Sequence, residues 1–464
     1  MAAKTSPVCF DEELITRYGG RGPRYTSYPT AMQFSESFAV DDYCQHAHDS
    51  NASGKPLSLY VHIPFCNTLC YYCACNKIVT RNTARIQTYL HSLDEEIRQQ
   101  SELFDRGRVV RQLHFGGGTP TYLGEKQLCG LMDSLHDAFS LEQGDDREFS
   151  IEVDPRSVDQ ESISLLSQLG FNRLSLGIQD FDPRVQIAVN RIQSVDDVQS
   201  LLGRAREKGF RSVSFDLIYG LPHQTVESFD RTLSSVIEMR PDRLAIYNYA
   251  HLPQRFKGQR MIKDSQLPSP QVKLEILHHT IDRLSDAGYE YVGMDHFALP
   301  DDDLVIARNN GTLQRNFQGY STHGNCDLVG LGASAIGSIG NAYSQNSPST
   351  IEYEAMLGAG RLPVKRGLVV NHDDRLRAQI IQALMCYDEL NMAAFSERND
   401  IDFCHYFADE LRRLIPLERH GLLELDADRI VITSKGRLLL RSIAMVFDRY
   451  LAKEQDGSRF SKAI

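Results

Sequence analysis

Between residues 57 and 293, short apolar runs alternate with amphipathic stretches along the chain. Runs rich in β-branched or apolar residues predict strands at 57–63, 109–115, 149–153, 173–178, 212–218 and 243–249. The intervening segments 85–104, 126–139, 160–169, 195–208, 226–239 and 271–287 repeat apolar positions at three- and four-residue steps. Leu274, Ile276, Leu277, Ile281 and Leu284 show the spacing, which is that of one helix face. Strands alternating with helices imply βαβ crossovers and a parallel sheet. Six such units predict an α/β fold of the incomplete (β/α)6 barrel type. In that architecture the reactive residues sit in loops at the C-terminal ends of the strands.

The pattern changes on both sides of this block, so three segments are expected: 1–56, 57–364 and 365–464. The first shows little periodicity and contains Arg21-Gly-Pro-Arg24-Tyr-Thr-Ser-Tyr-Pro-Thr30. Its prolines and glycine predict an extended arm. The last segment predicts helices near 375–387 and 407–414, a hairpin from 422–425 and 430–433, and a helix at 436–450. That order makes it a mostly helical, winged-helix-like domain. It carries 16 Lys+Arg and 16 Asp+Glu, whereas a DNA-binding wing is basic, so a lid or interaction domain is expected.

The 464 residues are 42% hydrophobic and 24% charged, an ordinary globular balance that excludes wholesale disorder. No run approaches the roughly 18 apolar residues of a membrane span. The first residues lack an apolar stretch, so no secretory signal and a cytoplasmic location are expected. A net charge of −11 argues against a nucleic-acid partner, which needs a basic face. An anionic small molecule remains compatible, because a local Arg cluster dominates the field inside a cleft.

Four of the ten cysteines, Cys66, Cys70, Cys73 and Cys75, fall within ten residues. They follow the first predicted strand directly. In a reducing compartment this crowding reads as a metal or redox site. The spacing C-x₃-C-x₂-C of Cys66, Cys70 and Cys73 suits three thiolates on three irons of a cubane cluster, with the fourth iron open. Structural zinc sites pair two short ligand hairpins far apart in sequence, and no second pair is present. A fourth thiolate from Cys75 stays open as an alternative. Gly116-Gly-Gly-Thr-Pro120 after the second strand is either a tight βα turn or bare backbone for a ligand.

The extended pattern C-x₃-C-x₂-C-x-C resembles the radical S-adenosylmethionine (SAM) enzymes, and within them the oxygen-independent coproporphyrinogen III oxidase family. The likeness includes Arg24–Thr30, Tyr60-Val-His-Ile-Pro-Phe65, His114-Phe-Gly-Gly-Gly-Thr-Pro-Thr121, Ile151-Glu-Val-Asp-Pro155, Asn172–Asp180, Asp216-Leu-Ile-Tyr-Gly-Leu-Pro222 and Arg315-Asn-Phe-Gln-Gly-Tyr320. It implies a [4Fe-4S] cluster held by Cys66, Cys70 and Cys73, with SAM on the open iron and a second SAM beside it. By the same resemblance Tyr60, Gly117, Glu152 and Ile336 contact the first SAM. Tyr72, Gly118, Thr119, Gln179, Arg191, Asp216 and Ala250 contact the second. Cys75 and His62 are implied catalytic residues, neither ligating iron.

The implied reaction is oxidative decarboxylation of two propionates of coproporphyrinogen III to the vinyl groups of protoporphyrinogen IX, through a 5′-deoxyadenosyl radical, with electrons from an unidentified low-potential donor. The first 56 residues would then cover the substrate site. Arg21, Arg24, Arg315 and Gln318 are candidates for the substrate's carboxylates. A monomer without membrane or nucleic-acid partner is expected. The rival is a haem chaperone of the same superfamily, which lacks a role for Cys75. A zinc-stapled interaction protein is a third, and would be colourless.

Overall fold

The computed structural model describes residues 8–451. They form two units. The larger comprises 33–269 and 325–370, the smaller 8–32, 270–324 and 371–451. This division cuts across the contiguous segments read from the sequence, because 270–324 groups with the C-terminal region.

The larger unit is built on α1 (Val40–Ser50), β1 (Leu57–Ile63), α2 (Thr83–Ser101), β2 (Val110–Gly117), α3 (Glu125–Ala138), β3 (Glu148–Val153), α4 (Gln160–Gln168), β4 (Arg173–Gln179), α5 (Val195–Glu207), β5 (Ser212–Tyr219), α6 (Val226–Met239) and β6 (Arg243–Asn248). Strands β1 to β6 pair in sequence order and all in parallel. Leu59, Val61, Leu113, Phe115, Ile151, Leu176, Phe215 and Leu217 are fully or almost fully buried, as strands covered on both faces require. The helices start on side-chain caps: Asn82, Asp159, Ser194 and Thr225 each accept a backbone N–H at the head of α2, α4, α5 and α6.

The sheet does not close. On the free side of β1 lies β7 (Asp327–Leu331), parallel to it. An antiparallel meander continues through β8 (Ile336–Ile339), β9 (Ala342–Asn346) and, after α7 (Thr350–Gly358), β10 (Val364–Val369). The meander was not legible as strands, since its runs are short and interrupted by glycine and serine.

Within the smaller unit, residues 19–32 run without helix apart from a single turn at Ala31–Gln33, as the prolines predicted. A helix at Glu12–Tyr18 precedes them, capped by Asp11, whose carboxylate accepts the Leu14 N–H at 3.1 Å. Together with α1 it makes residues 8–56 less extended than the pattern suggested; residues 1–7 of the expected arm lie outside the described residues. The C-terminal part holds helices His372–Tyr387 and Ala408–Arg419 and the hairpin Leu423–Leu425 with Arg429–Ile432, onto which Glu389–Asn391 adds a third strand. The single helix expected at 436–450 is broken into Arg437–Leu439, Leu440–Ala444 and Met445–Phe447. Tertiary demands outweigh helix propensity there. Buried Arg441 donates to the carbonyls of Gly22 and Pro23, and buried Arg437 to the carbonyl of Tyr291. Residues 452–464 of the expected C-terminal segment lie outside the described residues.

Behind β1 a buried carboxylate ties the meander to α2. Glu96 accepts hydrogen bonds from Gly332 N (2.7 Å), Asn346 Nδ2 (2.6 Å) and Tyr353 Oη (2.6 Å). Burial pushes its carboxyl up to about 7, although all three donors favour the anion. A group raised above its ordinary 4.5 adds stability that is complete below that value and is lost as pH rises through about 7. Glu96→Ala should therefore cost about 3 kcal/mol or more, because three buried donors lose their acceptor. Glu96→Gln should cost less and flatten the decline in melting temperature between pH 5 and pH 8 that the parent shows. An unchanged pH dependence in Glu96→Gln would remove Glu96 from this role.

Candidate active site

At the end of β1 the chain passes Pro64 into a short parallel pairing of Phe65–Cys66 with Ile78–Val79. This pairing closes a loop, 67–77, that carries the clustered cysteines. Ile78 N donates to Pro64 O at 2.6 Å and Thr80 N to Cys66 O at 3.1 Å, fixing the neck. Cys73 N donates to Cys70 O at 3.2 Å, and Lys77 Nζ to Cys73 O at 3.1 Å. The segment after β4 pins the middle: Tyr71 N donates to Val189 O at 3.0 Å and Asn190 Nδ2 to Leu69 O at 2.8 Å.

Cys66 and Cys70 are buried, Cys73 is half-buried and Cys75 is exposed. Each of the first three sulfurs faces donors. Thr119 Oγ1 lies 3.5 Å from Cys66 Sγ, Arg156 Nη2 and Arg191 Nη1 lie 3.3 and 3.5 Å from Cys70 Sγ, and Cys75 N lies 3.5 Å from Cys73 Sγ. Burial pushes the Cys66 thiol up to about 11. Cys73 is lowered to about 6, first by a hydrogen bond from Cys75 and then, against burial, by the Lys77 ammonium.

The turn after β2 crosses this loop at close range. Gly118 N donates to Ile63 O and Thr119 N to Phe65 O, both at 2.8 Å. Gly117 has φ +116°, and a Cβ there would stand 2.5 Å from the His62 ring. A Cβ on Gly118 would meet the Phe65 oxygen and the Pro64 carbonyl carbon at 2.8 Å. Only glycine fits either position. Gly117 N donates to Glu152 Oε2 at 3.0 Å, and His114 Nε2 is 3.4 Å from Glu152 Oε1. Burial raises the Glu152 carboxyl, but His114 and the Gly117 N–H outweigh it and hold the group below its usual range. An anionic carboxylate therefore faces the turn.

Across the cavity sits a second charged set. Arg191 is 6% exposed; it donates to Asp154 Oδ2 at 3.0 Å and to Gly177 O. Arg156 makes a two-pronged pair with Asp154, at 2.9 and 2.6 Å, the fork geometry that favours Arg over Lys. Asp216 accepts from Ser175 Oγ at 3.0 Å. Burial and the nearby Glu152 charge push it up to about 7. The register of β4 on β5 slips between Gly177 and Gln179, where Gln179 adopts φ +68°.

These groups enclose a cavity of about 230 Å³. It brings together Cys66, Cys70, Tyr72, Cys73, Cys75, Gly117, Gly118, Thr119, Glu152, Gln179, Arg191 and Asp216 of the residues expected from sequence. Among the described residues, no three His, Cys, Asp or Glu side chains are grouped to hold one metal ion. Three thiols spaced C-x₃-C-x₂-C on one loop can each take a separate iron of a cluster.

The radical SAM superfamily profile matches residues 60–236 and the HemN C-terminal domain profile residues 370–439. The oxygen-independent coproporphyrinogen III oxidase of Pseudomonas aeruginosa is 52% identical over 457 residues, 98% of this chain and 99% of that one. The Escherichia coli K12 protein of the same description is 48% identical over the same shares. The solved structure of the Escherichia coli coproporphyrinogen III oxidase HemN, described as a radical SAM enzyme, superposes with a TM-score of 0.91 at 47% identity. It covers 96% of this chain and 100% of its own. The chain belongs to the oxygen-independent coproporphyrinogen III oxidase family.

Other residues expected from that family lie outside the cavity lining. Tyr60 stacks on His114 with ring centroids 5.7 Å apart, and its hydroxyl is 3.2 Å from His62 Nδ1. His62 Nε2 is 3.0 Å from Asn76 O, and burial lowers the pKa of the ring, favouring the neutral form. Tyr60 and His62 thus stand beneath the glycine turn. Ala250 lies in the loop after β6, and Ile336 begins β8. The four oxidase substrate candidates belong to the smaller unit. Arg24 pairs with Asp295. Arg315 donates to Arg24 O at 3.1 Å and lies 4.8 Å over the Tyr320 ring. Gln318 N donates to Asn316 Oδ1 at 2.9 Å, and Arg21 is exposed.

Sequence reasoning missed three supports. Arg156 was signalled only by its place after Asp154-Pro155. His114 stood inside a quoted motif without a role. Gln259, buried, donates to Tyr72 O (3.0 Å) and Ala250 O (3.2 Å), and nothing in its local sequence announces it.

Gly117→Ala should destabilise the protein by about 1–3 kcal/mol, from its left-handed φ and the overlap with His62, and should weaken SAM binding measured by calorimetry. Gly130→Ala is the control, since a Cβ there meets nothing within 4 Å and alanine favours a helix by roughly 0.5–1 kcal/mol. Equal melting temperatures and SAM affinity in Gly117→Ala and the parent would contradict the steric account.

Proposed function

We propose that this chain is an oxygen-independent coproporphyrinogen III oxidase: it converts two propionate side chains of coproporphyrinogen III to vinyl groups without oxygen, forming protoporphyrinogen IX in haem biosynthesis. The observation that carries this reading is the three-thiol loop crossed by a bare glycine turn inside one cavity, in a chain of that family. Cys66, Cys70 and Cys73 would hold three irons of a [4Fe-4S] cluster. When bound, cluster and SAM supply the one-electron chemistry that removes hydrogen from an unactivated propionate carbon.

The protein's own work is placement. The backbone of Gly117, the Glu152 carboxylate, Tyr60 and Ile336 would orient the first SAM, whose charged amino end suits an acidic partner. Tyr72, Gly118, Thr119, Gln179, Arg191, Asp216 and Ala250 would hold a second, with Gln259 fixing the backbone of Tyr72 and Ala250. Thr119, Arg156 and Arg191 donate toward the cysteine sulfurs, which tunes a cluster's potential. His62, kept neutral by burial, and Cys75, exposed in the cavity, are the candidates for hydrogen or proton handling. Arg21, Arg24, Arg315 and Gln318 would meet the substrate's carboxylates; Arg315 Nη1 and Gln318 Nε2 are buried without a partner, which supports a polar ligand there. In this reading the protein is a cytoplasmic monomer fed by an external electron donor. Among the described residues no helix is long and apolar enough to cross a membrane.

Anaerobic reconstitution should give a brown protein with about four irons and a reducible paramagnetic signal that SAM alters. Cys70→Ser should abolish both signal and product; a full cluster in that variant would undo the ligand assignment. Cys75→Ser separates ligation from catalysis. Its iron content should stay near the parent's while vinyl product falls at least tenfold, because a thiol outside the ligand set does not hold metal. Iron loss equal to that of Cys70→Ser would make Cys75 a ligand. Unchanged decarboxylation would reduce Cys75 to packing, and retained haem with no decarboxylation by the parent would favour the haem-delivery alternative.

A further inference from the structure

A cluster at this loop must receive electrons from outside, and one surface beside the loop has the make-up to receive the protein that brings them. The turn Lys257–Met261 packs directly on the cysteine loop. A Cβ on Gly258 would lie 3.5 Å from both Leu69 Cδ1 and Tyr71 O, and Gln259 bonds Tyr72 O. Ile262 and Val189 share a buried apolar cluster onto which Tyr71 and Tyr72 pack. Turn and loop therefore form one packed body.

The outward side of this body is basic and partly apolar. Arg255, Lys257, Arg260 and Lys263 are all exposed, four cations within nine residues of a chain whose net charge is −11. Arg255 lies over the Phe256 ring at 5.5 Å and Arg260 Nε donates to Pro253 O at 3.1 Å, contacts that leave both charges in place. The one acid in the same stretch, Asp264, pairs with His251 at 2.9 Å. Met261 is 60% exposed, and Ile187, two residues before the Val189 carbonyl that anchors Tyr71, is 66% exposed. Large exposed apolar side chains rimmed by charge of one sign are the composition of a transient docking face.

We infer that this face docks an acidic carrier protein bearing a low-potential one-electron centre. The carrier is oxidised by one electron and the cluster reduced by one; no bond forms or breaks. Cation placement beside the loop steers an anionic partner to the shortest approach and leaves no tight complex, as turnover requires. The inference rests on the cluster reading above.

The test uses the reconstituted full chain with Arg255, Lys257, Arg260 and Lys263 all changed to Ser, each exposed and outside the proposed cofactor contacts. Reduction is followed by stopped-flow bleaching with two probes, flavodoxin hydroquinone and photoreduced 5-deazariboflavin, a small uncharged reductant. The second-order rate with flavodoxin should fall at least about tenfold at low salt and lose most of its ionic-strength dependence, while the deazariboflavin rate and the product it drives stay at the parent's level. Met261→Ser should lower the flavodoxin rate alone by a smaller factor. Equal flavodoxin rates in parent and quadruple variant would overturn the docking face, as would a matching loss with deazariboflavin, which would mean damage at the cluster. Absence of vinyl product from the parent with deazariboflavin would instead defeat the functional reading, whatever the docking result.

Discussion

The site depends on one backbone crossing. Gly118 N and Thr119 N donate to Ile63 O and Phe65 O, carrying the parallel register of β1 on β2 past the end of the sheet and into the loops. Within the sheet that register sets Tyr60 opposite His114 and His62 opposite Gly116. Beyond it, the same ladder fixes where the cysteine loop begins relative to the glycine turn. Because Gly117 and Gly118 carry no Cβ, the two backbones approach to hydrogen-bond distance with His62 beneath. Any side chain at either position would separate the cysteines from Glu152. The loop chemistry is thus a consequence of strand pairing, with glycine as the condition that lets pairing continue.

Charge is organised around the same crossing. Glu152 stays anionic because an N–H of the turn and His114 face it. Asp154 stays anionic because Arg156 and Arg191 flank it, against its burial. The two guanidinium groups then reach Cys70 Sγ. A chain of net charge −11 in this way surrounds its cysteine sulfurs with donors and cations, through buried pairs that are little screened by salt. Removing either arginine would leave a buried carboxylate short of a partner as well as a sulfur short of a donor. Structural and electronic roles cannot be separated at these residues by truncation alone.

Strand and helix positions in the larger unit were legible to within a few residues, because its six apolar runs are buried on both faces and its five amphipathic stretches each bury one. The cysteine spacing and the glycine turn were legible for the same reason that they matter: both are local. What escaped was non-local. Strands β7 to β10 are short and gain their pairing from β1 and from each other, so they leave little trace in their own sequence. The stretch 436–450 reads as one helix, yet Arg437 and Arg441 reach separate carbonyls and break it. Asp154, just before Pro155, accepts the Arg156 N–H at 3.1 Å in a local turn; the same carboxylate also receives Arg191, thirty-seven residues on. Nothing local marks Arg191 as paired, and only the fold shows it buried against a carboxylate. Gln259 has no signature at all, because its partners are two backbone carbonyls, that of Ala250 in its own loop and that of Tyr72 in the distant cysteine loop.

The way the cavity is built suits holding a cofactor more than exchanging protons. General acid–base catalysis asks for groups with pKa values near neutrality placed on the reacting atoms. Here even Asp216, pushed up to about 7, is held by a hydrogen bond from Ser175, as Glu152 is by a peptide N–H and Arg191 is by Asp154 and Gly177 O. Locked groups reorganise little, and a rigid polar lining is what holds a charged cofactor in one pose. It also resists water, since most hydrogen-bonding capacity on the wall is already used. Such a wall suits chemistry whose reactive species comes from a bound cofactor and must meet a substrate carbon before it meets anything else. On the loop, Cys75 is the exposed thiol, while Lys77 is itself held to Cys73 O, so the wall around Cys75 fixes where its sulfur stands.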